Sequence, residues 1–209
     1  MGVSSRLRGA NAPRRLRFRT AGRACGICLL SAILSPIATP AESSLPVKHQ
    51  FPLIVKIMTY EKTLMTRAVG IINLGVVYRL GDPESEACMQ DLLETAREFG
   101  DLRIRNRALV LHPLPIPRDQ PARTAIAGAR LDALYVTPGF GDSIDEIVAG
   151  AREAKSLSIT GTESFVERGI SVGIVAREGR PRILIHMQGS REEGLQWDPG
   201  FLSLCTLLR

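Results

Sequence analysis

Acidic residues are missing from the first 41 positions, and so is lysine, yet the segment holds seven arginines: Arg6, Arg8, Arg14, Arg15, Arg17, Arg19 and Arg23. Directly after Arg23 runs the apolar stretch Ala24–Ala38, 15 residues long. It is too short to span a bilayer comfortably. It closes on Pro36 and small residues, and Thr39-Pro40-Ala41 offers a small-x-small cleavage site. A basic region, a short apolar core and small residues form an export signal, so residues 1–41 are expected to be cleaved near Ala41. No second apolar run approaches the length of a membrane span, which leaves the remainder as an exported, periplasmic domain.

Histidine is scarce. His49, His112 and His186 stand alone, with no HxxH or HxxxH pair. A zinc site needs three or four converging ligands, so neither a metal nor a cofactor is expected. Cysteine is nearly as rare. Cys25 and Cys28 have CxxC spacing but lie inside the apolar leader, and the mature chain keeps only Cys88 and Cys205. That excludes a disulfide-dense scaffold, and each of the two is expected as a small core residue. Aromatic residues are 5% of the chain, with a single tryptophan, Trp197.

The formal net charge of +6 belongs to the leader. Seven of the 27 basic side chains lie there, which leaves 20 against 21 acidic ones. A nucleic-acid-binding domain carries its excess charge on the folded part, so nucleic acid is excluded as a partner. About 168 residues then remain, enough for one domain with a real core.

Residues 42–50 read as a flexible start, and 51–209 as a single domain. An amphipathic helix is expected from Phe51 to about Tyr60. Ile71–Arg79 is a nearly continuous apolar run that suits a strand buried on both faces. Asp82-Pro83 supplies an N-cap and a first helical position for a helix reaching Phe99, with Leu92, Leu93, Ala96 and Phe99 inward. A strand over Leu102–His112 precedes a loop holding Pro113, Pro115, Pro117 and Pro121. Helices near 123–130 and 142–154 alternate with strands at Ala133–Thr137 and Leu157–Thr160, and a short helix opens at Gly161-Thr-Glu-Ser164. Such alternation predicts α/β architecture: a mostly parallel sheet with helices on both faces, a Rossmann-like three-layer domain. Ile170–Arg177 and Arg182–Met187, joined through Glu178-Gly179, predict an antiparallel hairpin at the sheet edge. A polar helix at Ser190–Leu195 and an amphipathic helix at Pro199–Leu208 close the chain.

In an open α/β sheet, ligands settle beyond the carboxyl ends of the strands. The loops there carry Ser85, then Thr137, Gly139, Asp142 and Ser143, then Thr160, Gly161 and Thr162, all before helix N-termini. Unpaired amides at such termini suit an anion or a polar ligand, and these eight residues form the candidate cleft. Capping alone also explains hydroxyls and carboxylates at these places. Gly141-Asp142-Ser143 resembles the nucleophile block of GDSL-type esterases. However, it follows the third predicted strand rather than the first, and no Asp-x-x-His motif supplies a base. No catalytic residue is therefore assigned. Trp197 and Phe201, with Leu195, Leu204 and Leu208, offer more apolar surface than a short terminal helix needs. Trp197 and Phe201 are thus candidates for a partner face or for a homodimer face, unless they fold back over the sheet.

From Leu131 to Leu208 the chain resembles the YfiR family of exported bacterial proteins. The carrying segments are Asp132-Ala-Leu-Tyr-Val136, Ile159-Thr-Gly-Thr-Glu-Ser-Phe165, the hairpin Gly169–Glu178 with Gly179–Ile185, and Glu193-Gly-Leu-Gln-Trp197 through Leu204. Three places depart from the family pattern. Ile185-His186-Met187 replaces an Ile-Asn-Leu triplet, Gly189-Ser190 replaces a small apolar pair, and the first helix lacks a Trp-Pro ending. The family's bridging cysteines have no clear counterpart. The resemblance implies a periplasmic, non-enzymatic regulator of an inner-membrane sensor, either a diguanylate cyclase or a histidine kinase. It would thereby lower cyclic-di-GMP synthesis and biofilm formation. The cleft residues alone leave a second reading, a small-molecule binding protein of a transport system.

Overall fold

The computed structural model describes residues 45–209; the expected export signal and cleavage site lie outside the described residues. The chain opens with α1 (Val47–Tyr60) and the short α2 (Leu64–Arg67), then β1 (Ile72–Arg79) and α3 (Pro83–Phe99). Next come β2 (Arg103–Ile104), β3 (Arg107–Ile116), α4 (Ala122–Gly128), β4 (Ala133–Val136), α5 (Ile144–Ala154) and β5 (Leu157–Thr160). The end of the chain forms α6 (Glu163–Glu167), β6 (Val172–Arg177), β7 (Arg180–His186), α7 (Met187–Glu192), α8 (Pro199–Leu202) and β8 (Thr206–Leu208). One sheet holds all eight strands in the order β2-β3-β1-β4-β5-β6-β7-β8. The run β3-β1-β4-β5-β6 is parallel, and antiparallel pairs occur at β2–β3 and β6–β7.

Two large buried clusters flank this sheet, as the sequence pattern predicts, and a small third joins Val166, Val175 and Leu184. Ile72, Leu74 and Val76 of β1, with Ala133 and Tyr135 of β4, face α1 and α3. Val77, Leu134 and Val136 point the other way, against Ile126 of α4 and Ile144, Ile147 and Ala151 of α5. The alternation along each strand sends successive side chains to opposite faces, so a fully apolar strand feeds both layers. Burying each of these aliphatic side chains contributes roughly 1.5–3 kcal/mol. Asp82 accepts from the Ser85 amide at 3.0 Å and Pro83 takes the first helical position, the expected start of α3.

Five local differences from the sequence reading have physical reasons. First, α1 begins at Val47, so residues 47–50 of the expected flexible start are helical, and Gln50 is buried. Second, the strand expected over 102–112 is a tight hairpin, β2–β3, turned at Arg105 with φ 54°. Third, Pro113 and Pro115 lie in β3 rather than in a loop. Leu109 donates its amide away from β1, to the Leu102 carbonyl. Pro113 and Pro115 share its parity, so their missing N–H groups fall on the open edge, where a strand tolerates proline. Fourth, Phe99 stays 53% exposed and touches Phe51 only edge-on. Fifth, the expected helix Pro199–Leu208 stops after one turn. Its C-terminal half becomes β8, which pairs in parallel with Leu184–His186 of β7 and covers that part of the hairpin's outer strand.

Cys88 and Cys205 are both free thiols, and burial pushes each up to about 11. Among the described residues, no helix is long and apolar enough to cross a membrane.

Candidate functional site

From β1 the chain passes through α3 to β3 on one side, then through α4 to β4 on the other. The direction of winding reverses at β1, and α3 and α4 lie on opposite faces. The crevice beyond the carboxyl ends of β1 and β4 is therefore the switch point, where folds of this kind hold ligands. Two of the three expected loops meet there, Arg79–Ser85 and Thr137–Ser143. The third, Thr160–Ser164, lies beside them at the end of β5.

Ser85 and Thr137 come together, both fully buried. Thr137 Oγ1 donates to the Val77 carbonyl at 3.0 Å, so its single proton is committed. With that proton on Val77, Ser85 donates across the 2.6 Å Ser85–Thr137 contact, in which either hydroxyl could be the donor, while its oxygen accepts the Arg79 amide at 2.8 Å. The chain Arg79 N–H to Ser85, to Thr137, to Val77 C=O ties the ends of β1 and β4 together. No hydroxyl proton is left over for a ligand.

Gly139, Asp142 and Ser143 gather around a residue the sequence reading passed over. The Arg79 side chain is only 3% exposed and occupies the crevice. Its guanidinium lies 3.2 Å from Asp142 Oδ1, contacts Ser143 Oγ, and stands 4.4 Å above the Phe140 ring. The Gly139 and Pro117 carbonyls each lie 3.5 Å away. The Ser143 hydroxyl, with the Arg79 cation behind it, holds the Asp142 carboxyl below the usual carboxylate range. Ser143 thus faces a permanent cation and a carboxylate. Ser143 Oγ donates to Asp142 Oδ1 at 3.1 Å, and a carboxyl held below its usual range is a weak base towards that proton.

Thr160 Oγ1 donates to the Val136 carbonyl at 3.0 Å and accepts the Thr162 amide at 3.2 Å. Gly161 is needed for close approach: a Cβ there would stand 2.7 Å from both amide atoms of Gln50. Gln50 reaches over from α1, accepts from the Tyr135 hydroxyl at 2.8 Å and donates to the Leu45 carbonyl. Beside this stitch lies a cleft of about 260 Å³ between α1 and α3. Val47, Cys88, Tyr135, Gly161 and Thr162 line it, and Glu84 and Asp91 stand exposed at its rim. Of the eight expected cleft residues, only Gly161 and Thr162 border this open space.

The candidate pair Trp197 and Phe201 takes the folded-back placement. Trp197 is 8% exposed and Phe201 4%. Trp197 Nε1 donates to Ser190 Oγ at 3.1 Å, and its ring meets Phe201 at 5.5 Å. Phe201 in turn stacks on Tyr60 of α1 at 4.8 Å. The set folds back over the sheet because α1 leaves an aromatic shelf at its end. The apolar surface left outside is Leu204 and Leu207.

Two buried carboxylates were also missed. Glu61 accepts from the Gln196 amide and from Arg67. Glu193 is fully buried among serines of β5 and the β6 entry. Arg79 carried a readable signal, a lone charge ending a buried strand. Glu193 carried none, since a Glu-Gly pair also ends ordinary surface helices.

The fold and the crevice define a doubly wound α/β domain whose switch point is filled from within. Residues 91–206 match the model of the YfiR/HmsC-like family, more than half of the chain, and the protein belongs to that family. No curated protein matches it. Among solved structures, an ABC domain from Streptococcus pneumonia in complex with L-Trp shares 12% identity at a TM-score of 0.58, over 78% of this chain and 62% of that one. A conserved domain protein from Vibrio cholerae shares 17% identity at 0.58, over 78% and 60%. The ligand-free, open form of CD0873, a substrate binding protein with adhesive properties from Clostridium difficile, shares 16% at 0.51, over 71% and 58%. At such identity the likeness is one of fold, and the chain spans between 58% and 62% of the length of these proteins.

Proposed function

We propose that the protein is a periplasmic, non-enzymatic regulator that binds an inner-membrane diguanylate cyclase or sensor kinase and restrains it. The observation that carries this reading is Arg79. The place where a doubly wound fold receives a ligand is occupied by the protein's own guanidinium, with its hydrogen bonds made internally. A scaffold with that crevice closed acts through its surface. Membership of the YfiR/HmsC-like family and the expected export signal support a periplasmic location and a signalling partner. Affinity capture of membrane proteins on the mature domain tests it. A cyclase or kinase with a periplasmic sensor region is the expected catch, together with raised cyclic-di-GMP on gene deletion. Recovery of neither, with unchanged cyclic-di-GMP, contradicts the reading.

The second reading is a small-molecule binding protein, and the 260 Å³ cleft beside Tyr135 favours it. Two of the solved proteins of this fold are described as an L-Trp complex and as a substrate binding protein. A ligand in the cleft would raise the melting temperature by mass action. A screen of anions and amino acids in which none does so counts against this reading.

A further inference from the structure

Below the two ladder pairs Ile159–Val172 and Thr160–Gly173, β5 and β6 part. The Leu157 amide is committed to β4, through the Asp132 carbonyl. The Ser158 amide, one residue on, therefore points towards β6 and finds no strand there. The Glu193 carboxylate fills the gap. Its Oε2 accepts the Ser158 amide at 3.0 Å and the Ser171 hydroxyl at 2.6 Å, and its Oε1 accepts the Ser158 hydroxyl at 2.5 Å. The Ser171 amide closes the ring on Ser158 Oγ at 2.9 Å. Glu193 is the C-cap of α7, so one fully buried carboxyl joins β5, the entry to β6 and the C-terminal segment.

All of its direct partners are uncharged. The charged groups around the joint are engaged elsewhere. Arg152 of α5 pairs with Glu192 at 2.7 Å, and Lys155, after α5, donates to the Glu192 carbonyl at 2.7 Å. His186, before α7, accepts the Gly189 amide on Nδ1. Arg191 of α7 makes no ion pair among the described residues. Glu61 and Arg67 pair with each other three residues further along, at Gln196.

We propose that Glu193 is a proton-operated latch between the sheet and the C-terminal segment: neutral, it locks β5, β6 and α7 together; ionised, it loosens that joint. In the neutral form the carboxyl proton is donated to one serine oxygen, and that serine turns its own proton out of the ring. Only the ionised form places an unpaired charge inside the protein. Burial pushes the Glu193 carboxyl up to about 7, and the serine hydrogen bonds and the more distant Arg152 offset only part of that. The ordinary value is 4.5, so the folded chain holds this proton where the unfolded chain has released it. Stability from this group is complete below the ordinary value and is lost as pH rises towards the folded value.

Trp197, the only tryptophan, lies buried four residues beyond Glu193 and reports on the joint. The test follows Trp197 emission and amide exchange over 194–208 in the purified full chain as pH is raised. The wild type is expected to lose protection with a midpoint near 7, and Glu193→Gln to stay protected throughout. Ser171→Ala removes one bond to the anion and is expected to move the midpoint upward. It also serves where Glu193→Gln fails to fold. His186→Asn is expected to leave the midpoint in place. The same profile in wild type and Glu193→Gln, or a midpoint that Ser171→Ala does not move, overturns the proposal.

Discussion

The hydroxyls of Ser85 and Thr137 lie 2.6 Å apart, one in the first turn of α3 and the other just past β4. The two strands they join flank the switch point, so this contact sews shut the crevice that the fold opens. Arg79 then fills the space above it. A ligand entering there would have to displace a buried cation and leave three hydroxyls to find new partners.

Arg79 and its partner Asp142 are predicted to differ sharply in cost. Arg79→Ala removes a buried side chain from between Phe140 and two carbonyls and is expected to lower stability by roughly 2–4 kcal/mol. Asp142 is 66% exposed, so water screens its attraction for Arg79, which keeps the Gly139 and Pro117 carbonyls and Ser143 Oγ when that charge is lost. Asp142→Asn is therefore expected to cost less than about 1 kcal/mol. Urea unfolding of both variants checks this, and equal losses would show that the ion pair, rather than the filling of the crevice, is what matters.

Trp197→Ala is expected to destabilise the fold by roughly 3–5 kcal/mol, because it empties the space between Ser190, Phe201 and the end of α1. A variant as stable as the wild type but deficient in partner capture would favour the partner-face alternative for Trp197.

His186 gives a prediction on the acid side. Burial and the nearby Arg152 lower its value from the ordinary 6.5, so the neutral ring that caps α7 is the native form. Its contribution is present above the ordinary value and is lost as pH falls through the folded one. His186→Ala is expected to cost about 1 kcal/mol on the neutral side, the usual worth of an N-cap, and progressively less on acidification. Denaturant midpoints across this window decide it, and a cost independent of pH would contradict it.

Gly189 and Gly141 separate two uses of glycine. A Cβ at Gly189 would stand 2.5 Å from the backbone carbonyl of Gly169, which has little room to yield. Gly189→Ala is expected to cost roughly 1–3 kcal/mol. Nothing lies within 4 Å of a Cβ at Gly141, so Gly141→Ala is expected to be tolerated. Thermal unfolding of the pair checks the contrast.

Much of the fold was legible because apolar runs such as Ile72–Val77 feed two layers at once and leave a continuous signal. The Asp82-Pro83 start of α3 was legible for a different reason, since its capping chemistry is local. β8 was not. Its three residues, Thr206–Leu208, become a strand only because β7 presents an open edge, a fact that the local sequence does not contain. The prolines of β3 misled for a similar reason: their tolerance depends on which side of the strand has a neighbour. At the site, the loops were found but their occupant was missed. In the sequence Ser85, Thr137 and Ser143 suit either a ligand or ordinary capping, and only the fold brings Arg79 among them. The sequence leaves Trp197 open between a packing anchor and a partner face, because Tyr60, on which its neighbour Phe201 stacks, lies over a hundred residues away.

The proposed role is restraint of a membrane-bound diguanylate cyclase, with no reaction catalysed by this chain itself. Cellular cyclic-di-GMP, measured in a strain lacking the gene and in the same strain supplied with the full chain, tests it most directly. The level is predicted to rise on deletion and to return on complementation, also with Ser143→Ala, which spares the fold's surface. An unchanged level on deletion, or a complementation that requires the Ser143 hydroxyl, would contradict the account.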